Sequence, residues 1–219
     1  MNKSYLYLMT TFMLWGSLYV VSQFVLGKIP TFTVAMFRYL IAFIALSFIS
    51  LKSKKEKIEK SDYKYFFVMG FIGYFISVDC QLLGTKIAGG SMASLINSLN
   101  PIIISVMAMI ILNEKLEINK IIGIILSLFG VYMIIGTGAN IKFIGVLISF
   151  IAVIGWAFMS VISRKISNKY SALTLTKVSM LIATVCNIPV SFLEIQITHP
   201  LIQIDIGAIL GILYMGIVC

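Results

Sequence analysis

The stretch Ala88–Leu116, AGGSMASLINSLNPIIISVMAMIILNEKL, decides the fold. It is too apolar for a surface helix, and it reaches the roughly 20 residues that a bilayer crossing takes. Yet its middle holds Asn97, Ser98, Asn100 and Pro101. Proline has no N–H, so the carbonyl of Asn97 loses its helical partner and the ring strains the preceding turn. An orphan carbonyl in lipid is costly unless protein or trapped water satisfies it. A polar, broken helix at that depth is therefore expected to border a protected cavity. Ser94, Asn97, Pro101 and Ser105 follow an i, i+3, i+7, i+11 pattern, which puts them on one face and makes that face the candidate solute path. The plainer alternative is a proline kink whose asparagines bond neighbouring helices.

Working outward, hydrophobic residues make up 60% of the chain and charged residues 11%. Mean hydropathy is +1.04. A water-soluble domain carries about twice that charge, so the lipid bilayer is the first partner implied. The net charge of +9 does not point to nucleic acid. Its lysines and arginines cluster in short segments between apolar runs, as cytoplasmic loops do. Cys80, Cys186 and Cys219 are scattered in apolar surroundings, with neither metal-ligand spacing nor a disulfide framework. No metal or cofactor is expected. The first apolar run is read as a span and not a cleaved leader, because it is too long and no small-residue cleavage site follows.

Seven runs reach spanning length, near Tyr5–Leu26, Thr33–Leu51, Tyr65–Thr85, Gly90–Leu112, Ile118–Gly136, Ile141–Ser163 and Ala172–Leu193. An eighth begins at Ile206 and is read as cut inside a helix, 14 residues before Cys219. Twelve Lys and Arg fall on the N-terminal side, at positions 3, 52, 54, 55, 57, 60, 64, 115, 120, 164, 165 and 169. Only Lys28, Lys86 and Lys142 fall on the other. The N-terminus is therefore expected in the cytoplasm. The loop Lys52–Lys64 fixes topology, with anionic lipid or a partner as the alternative reading.

The first and sixth spans look like copies. LWGSLYVVSQ (Leu14–Gln23) and GWAFMSVISR (Gly155–Arg164) each place Trp, a small residue and a later Ser in register. Five spans separate the two starts, and an odd number reverses the second copy. Inverted repeats are a common design of secondary transporters, with the solute near the midplane between them. Trp15 and Trp156 are mid-span, away from the interfacial belt where tryptophan is usual, so each is expected to pack against a cavity or a facing helix. Gly123, Ser127 and Gly130 form a small-residue stripe on the fifth span, available to a neighbouring helix or a homodimer.

Charges within spans ask for a reason. Arg38 and Asp79 each lie seven residues from an outer edge, about 10 Å deep at 1.5 Å per residue, and are expected to face each other. The alternative is that Arg38 snorkels and Asp79 touches trapped water. Lys177 lies near the cytoplasmic edge and is expected to snorkel. Gln23, Gln81 and Asn187 are candidate vestibule residues, although such residues also bond across helices. Glu114 and Glu117, with Lys115 and Lys120, are read as structural, and His199 as a loop residue. One histidine, no HExxH and no acidic pair in the spans argue against an intramembrane enzyme.

LWGSLYVVSQ with Pro30, then FRYLIA at Phe37–Ala42, resembles the opening of an EamA-type member of the drug/metabolite transporter superfamily. ASLINSLNPIIISVMAMIILNEKL is similar to that family's fourth helix and acidic turn, IIGIILSLFGVYMIIG to its fifth, and GWAFMSVISRK to the start of its second repeat. The resemblance implies an all-α polytopic membrane helix bundle, an inverted repeat of five-helix units with seven to eight of ten helices present. Residues 1–137 would be the first repeat and 138–219 part of the second. It also implies a bacterial plasma-membrane transporter, exporting a small-molecule solute such as an amino acid, a related compound or a drug by alternating access. The path residues are expected to be Trp15, Asn97, Asn100, Pro101 and Trp156, with Arg38 and Asp79. Asp79 stands where that family would lead one to expect a neutral residue. A truncated, non-transporting scaffold is the alternative.

Overall fold

The computed structural model describes residues 3–53, 56–113 and 142–219, together with positions 118, 121–123, 125, 126, 129 and 133. Long apolar runs in lipid must satisfy their backbone internally, and helices do so. Seven are described: α1 (Lys3–Leu26), α2 (Thr31–Ser50), α3 (Lys60–Ala88), α4 (Gly90–Leu112), α5 (Phe143–Ile166), α6 (Ala172–Thr198) and α7 (Ile206–Ile217). The first six are long and apolar enough to cross a membrane, and α7 is shorter. The expected span Ile118–Gly136 lies mostly outside the described residues. So do Glu114, Lys115, Glu117 and Lys120, and Ser127 and Gly130 of the small-residue stripe.

Two helix pairs organise the bundle: α2 lies along α6, and α3 along α5. The second pairing rests on small residues. Gly84 and Ala88 of α3, four apart, meet Gly145 and Ser149 of α5, also four apart, so the two backbones come close. A methyl added at Gly84 would stand 2.2 Å from the Ser149 hydroxyl oxygen. Further along, Ser77 donates to the carbonyl of Ala152 at 2.7 Å. Within α3, Met69–Ile76 is wound as a π-helix. Such wide turns are uncommon and often sit at functional sites. Here the Tyr39 hydroxyl donates to the Tyr74 carbonyl at 2.8 Å and ties the wide turn to α2.

The break in α4 takes a different form from the one expected. The helix ends at Asn97 and restarts at Asn100. The Leu99 N–H donates to the Ile96 carbonyl at 3.1 Å, a tight 3₁₀-type closure, while the Leu99 carbonyl accepts from Ile102 and Ile103. Pro101 therefore sits in the first turn of a new helix, where a missing N–H is tolerated. The restart changes the phase of the faces. Asn97 and Asn100 turn inward together, whereas Pro101 is exposed. The four-residue stripe Ser94–Asn97–Pro101–Ser105 assumed one continuous helix and does not form a single lining face.

Polar ties close both ends of the bundle. On the side opposite the lysine-rich loop, Glu194 of α6 accepts from the backbone N–H groups of Thr31 and Phe32 at 2.8 and 2.9 Å. A carboxylate there offsets the positive end of α2. Thr33 and Ser191 share a hydrogen bond at 2.8 Å, and Lys28 pairs with Asp205. On the lysine-rich side, Asp62 accepts from Tyr170 at 2.8 Å and Lys169 at 3.1 Å, and Glu56 accepts from the Ser171 N–H. The Lys177 ammonium donates to the hydroxyl of Ser50, the last residue of α2 on this side, at 3.0 Å.

Gly84→Ala is expected to lower stability by about 1–3 kcal/mol, the usual cost of overpacking, and Ser149→Ala in the same chain to recover part of it. Thermal unfolding in detergent measures both, and an unchanged midpoint for Gly84→Ala would show that α3 and α5 do not touch there. A second expectation concerns acid. The Lys28 hydrogen bond, then the Ala208 N–H, hold the Asp205 carboxyl below its ordinary range. The Thr174 hydroxyl and the Ser171 N–H do the same for Glu56. Lowered folded-state values mean stability present above the ordinary carboxylate range, about pH 4, and lost as pH falls further. The unfolding midpoint should drop between pH 5 and 3, and drop less in Asp205→Asn.

Candidate functional site

The inner faces of α1 to α6 line a cavity of about 230 Å³, with Cys219 also on its wall. Trp15, Leu18 and Tyr19 come from α1 and Arg38 from α2. Tyr74, Ser77, Val78 and Gln81 come from α3, which presents one face to the cavity over about two turns. Asn97 and Asn100 come from the two sides of the break in α4, Ala152 and Trp156 from α5, and Thr176 and Met180 from α6.

Aromatic rings make one wall. Trp15 and Trp156 meet edge to face with centroids 6.0 Å apart. Trp156 meets Tyr74 at 5.7 Å, and Tyr74 meets Tyr39 at 5.9 Å, both edge to face. Edge-to-face contact is the favoured geometry for such pairs, because the positive edge of one ring meets the negative face of the next. Polar groups make the other wall. Gln81 donates to the Tyr19 hydroxyl at 2.8 Å, and the Asn100 amide donates to the Asn97 side-chain carbonyl. The Asn100 side-chain oxygen and one Arg38 guanidinium nitrogen are buried without a hydrogen-bond partner.

Of the seven residues singled out from sequence, the structure thus gathers Trp15, Arg38, Asn97, Asn100 and Trp156 around one space. Pro101 and Asp79 do not line it. Arg38 and Asp79 form no ion pair. The depth estimate fixed their height but not their direction. Ser77, Val78 and Gln81 face the cavity, and at about 100° per residue Asp79 is turned away from that face. Asp79 is buried instead beside Asn187 of α6, close enough to interact but outside hydrogen-bond geometry. Gln81 does line the cavity, and Asn187 is fully buried away from it. Gln23 caps α4 by accepting from the Gly90 N–H at 3.0 Å. His199 ends α6 in a left-handed turn.

Tyr74, Ser77, Tyr19 and Thr176 were missed by sequence reasoning. The signal for Tyr74 lay in MGFIGYFI (Met69–Ile76), where two glycines three apart allow the wide turn to lie against Ile182 and Met159. Two larger depressions, each about 440 Å³, flank the bundle. One lies at loop level beside Lys28, Lys86 and Glu194. The other runs from Tyr170 and Ser171 at the lysine-rich end up to Tyr74 and Thr176, which it shares with the central cavity. Among the described residues no group of three His, Cys, Asp or Glu side chains is placed to hold a metal ion.

Comparison with known proteins agrees with this architecture. The model of the EamA-like transporter family matches residues 2–136 and 143–219. The chain is 28% identical over 187 residues to the uncharacterized transporter YetK of Bacillus subtilis (strain 168), covering 82% of the chain and 57% of that relative. It is 24% identical over 215 residues to an uncharacterized transporter of Archaeoglobus fulgidus, covering 98% of the chain and 75% of the relative. A Clostridium kluyveri uncharacterized transporter is 26% identical over 230 residues, at 99% and 73% coverage. The chain is thus shorter than these relatives and spans little more than half of the first. With a family model matched along nearly all of its sequence, this multi-pass membrane chain belongs to the EamA-like transporter family.

Proposed function

We propose that the central cavity is the solute site of a secondary-type transporter that exports small organic metabolites, such as amino acids or related compounds, by alternating access. In this reading residues 1–137 form one five-helix repeat and 138–219 part of a second, inverted one. The N-terminus lies in the cytoplasm of a bacterial cell, because twelve of the loop cations share its side. The observation that carries the reading is the contact of Trp15 with Trp156 on the cavity wall. Repeat-related residues touch only near the axis that relates the repeats. That axis is where inverted-repeat transporters hold their solute.

Two further features support it. The lysine-rich-side depression shares Tyr74 and Thr176 with the cavity, so only a thin wall separates the solute site from that face. The cavity, about 230 Å³, is smaller than the roughly 300–1,000 Å³ typical of pockets for drug-sized ligands, which favours metabolites over drugs.

In a chain with Cys80, Cys186 and Cys219 replaced by serine, Asn97→Cys and Asn100→Cys should react with a membrane-impermeant maleimide. Val185→Cys, exposed mid-way along α6 in apolar surroundings, should not. Asparagine positions as inert as Val185 would sink the path. Cells loaded with amino acids and expressing the chain should show efflux, and Trp156→Ala should reduce it by about tenfold, the scale of one lost aromatic contact. Equal efflux from expressing and empty cells would favour a non-transporting scaffold.

A further inference from the structure

We infer that the cavity is built for an organic anion: the Arg38 guanidinium is its counter-ion, and the Asn100 side-chain carbonyl accepts from a donor elsewhere on the same solute. The inference rests on the reading of this cavity as a solute site and adds its chemistry.

Arg38 carries the argument. It lines the cavity, and one of its terminal nitrogens is buried with no hydrogen-bond partner. Its guanidinium carbon stands 5.7 Å from the Tyr39 ring, a contact that supplies no counter-charge. A guanidinium, unlike an amine, does not shed its charge on burial, so the charge has to be met by something. Among the described residues no carboxylate meets it. Glu194 is occupied by the N–H groups of Thr31 and Phe32, Asp205 by Lys28, Asp62 by Lys169 and Tyr170, and Glu56 by Ser171. Glu59 lies within ion-pair distance of Lys169, and Asp79 sits beside Asn187 outside the cavity, near enough to feel the Arg38 charge but beyond ion-pair distance of it. Among the described residues the lining contains no acidic side chain. Arg38 is part-buried, with one nitrogen sealed from solvent and open toward the cavity, and a bidentate carboxylate matches the guanidinium fork.

Asn100 supplies the second half. It is more than nine-tenths buried, its amide is already spent on Asn97, and its side-chain oxygen has no partner. The asparagine pair therefore offers the cavity an acceptor. One fixed cation and one free acceptor, with the aromatic wall of Trp15, Trp156 and Tyr74 nearby, fit a small solute with a carboxylate, a hydrogen-bond donor and an apolar body. A lone organic cation would meet the aromatic faces but also the charge of Arg38.

Trp15 and Trp156 are the only two tryptophans of the chain, and both line the cavity, so intrinsic fluorescence reports occupancy directly. The purified chain in phosphatidylcholine nanodiscs is titrated with four probes that share an isobutyl group: isovalerate, leucine, isovaleramide and isoamylamine. Isovalerate and leucine should give saturable changes at concentrations at least about tenfold below the amide and the amine, with leucine the tighter of the two. Arg38→Gln should erase that preference and Arg38→Lys should retain part of it. Asn100→Asp, which brings a carboxylate to the cavity, should shift the preference toward isoamylamine. A flat response to both carboxylates overturns the inference, as does an amine that binds as well as isovalerate, or Arg38→Gln with unchanged carboxylate binding. Loss of the response in phosphatidylglycerol discs would assign the anion site to a lipid headgroup and overturn it too. If the amide or amine binds while Asn97→Cys and Asn100→Cys remain maleimide-reactive, the anion chemistry fails and the transport reading stands. Unreactive asparagines fail both.

Discussion

The close contact of α3 with α5 is the constraint on which the rest of the architecture depends. Lipid gives no hydrophobic reward for pressing two apolar helices together, so they associate where small residues let backbones meet. Gly84 and Ala88 against Gly145 and Ser149 provide that meeting, and Ser77 bonded to Ala152 extends it toward the middle of the bundle. One turn beyond Ala152 stands Trp156, and one turn before Ser77 stands Tyr74. The packing of small residues near one end thus delivers two large rings to the centre, where they meet each other and Trp156 meets Trp15. A bulkier side chain at Gly84 would push apart the same helices that present those rings.

A bundle with an internal cavity has a second requirement. Each polar group near the cavity needs a partner, because unsatisfied groups are costly in a low-dielectric interior. Most are closed in pairs: Tyr39 on the Tyr74 carbonyl, Gln81 on Tyr19, Gln23 on Gly90, Asn100 on Asn97. These pairs join α2 to α3, α3 to α1 and α1 to α4. They hold the irregular parts of the structure, the wide turn in α3 and the interruption in α4, against regular neighbours. Irregular backbone at membrane depth is tolerated where it is buried in protein or lines a cavity, and both irregular segments contribute to the same cavity here.

The sequence made the spans, the mid-span tryptophans and the interruption in α4 legible, because each depends on residue type and spacing alone. Direction was harder. A polar residue's depth follows from counting, but its azimuth depends on helix phase, and the two irregular segments alter the phase. This is why Pro101, expected on the asparagine face, is exposed on another. Arg38 and Asp79 are a different case. They have similar depth, yet α3 turns its Tyr74–Ser77–Gln81 face to the cavity and Asp79 toward α6. Tyr74 itself was not legible by periodicity, because a π-helical stretch breaks the 3.6-residue rule that would place it. The α3–α5 seam was not legible either: Gly84, Ala88, Gly145 and Ser149 are unremarkable until the two segments are brought together.

The distribution of the polar groups left open bears most directly on function. Thr31, Asp79, Ser179 and Asn187 have buried side-chain atoms without partners and lie outside the cavity lining. Arg38 and Asn100 have them within it. The first set lies in helix contacts, where α2, α3 and α6 press on one another, and small shifts of those helices can close such groups on each other. The second set faces a cavity, where something that enters can close them. A cavity whose open groups, among the described residues, are one cation and one acceptor, and one of whose walls is aromatic, discriminates by charge before it discriminates by shape. That asymmetry arises from where the carboxylates went. Glu194, Asp205, Asp62 and Glu56 are all engaged at the ends of the bundle, holding loops and helix termini in place, and Asp79 is buried on the α6 side, so among the described residues no carboxylate lines the cavity beside Arg38.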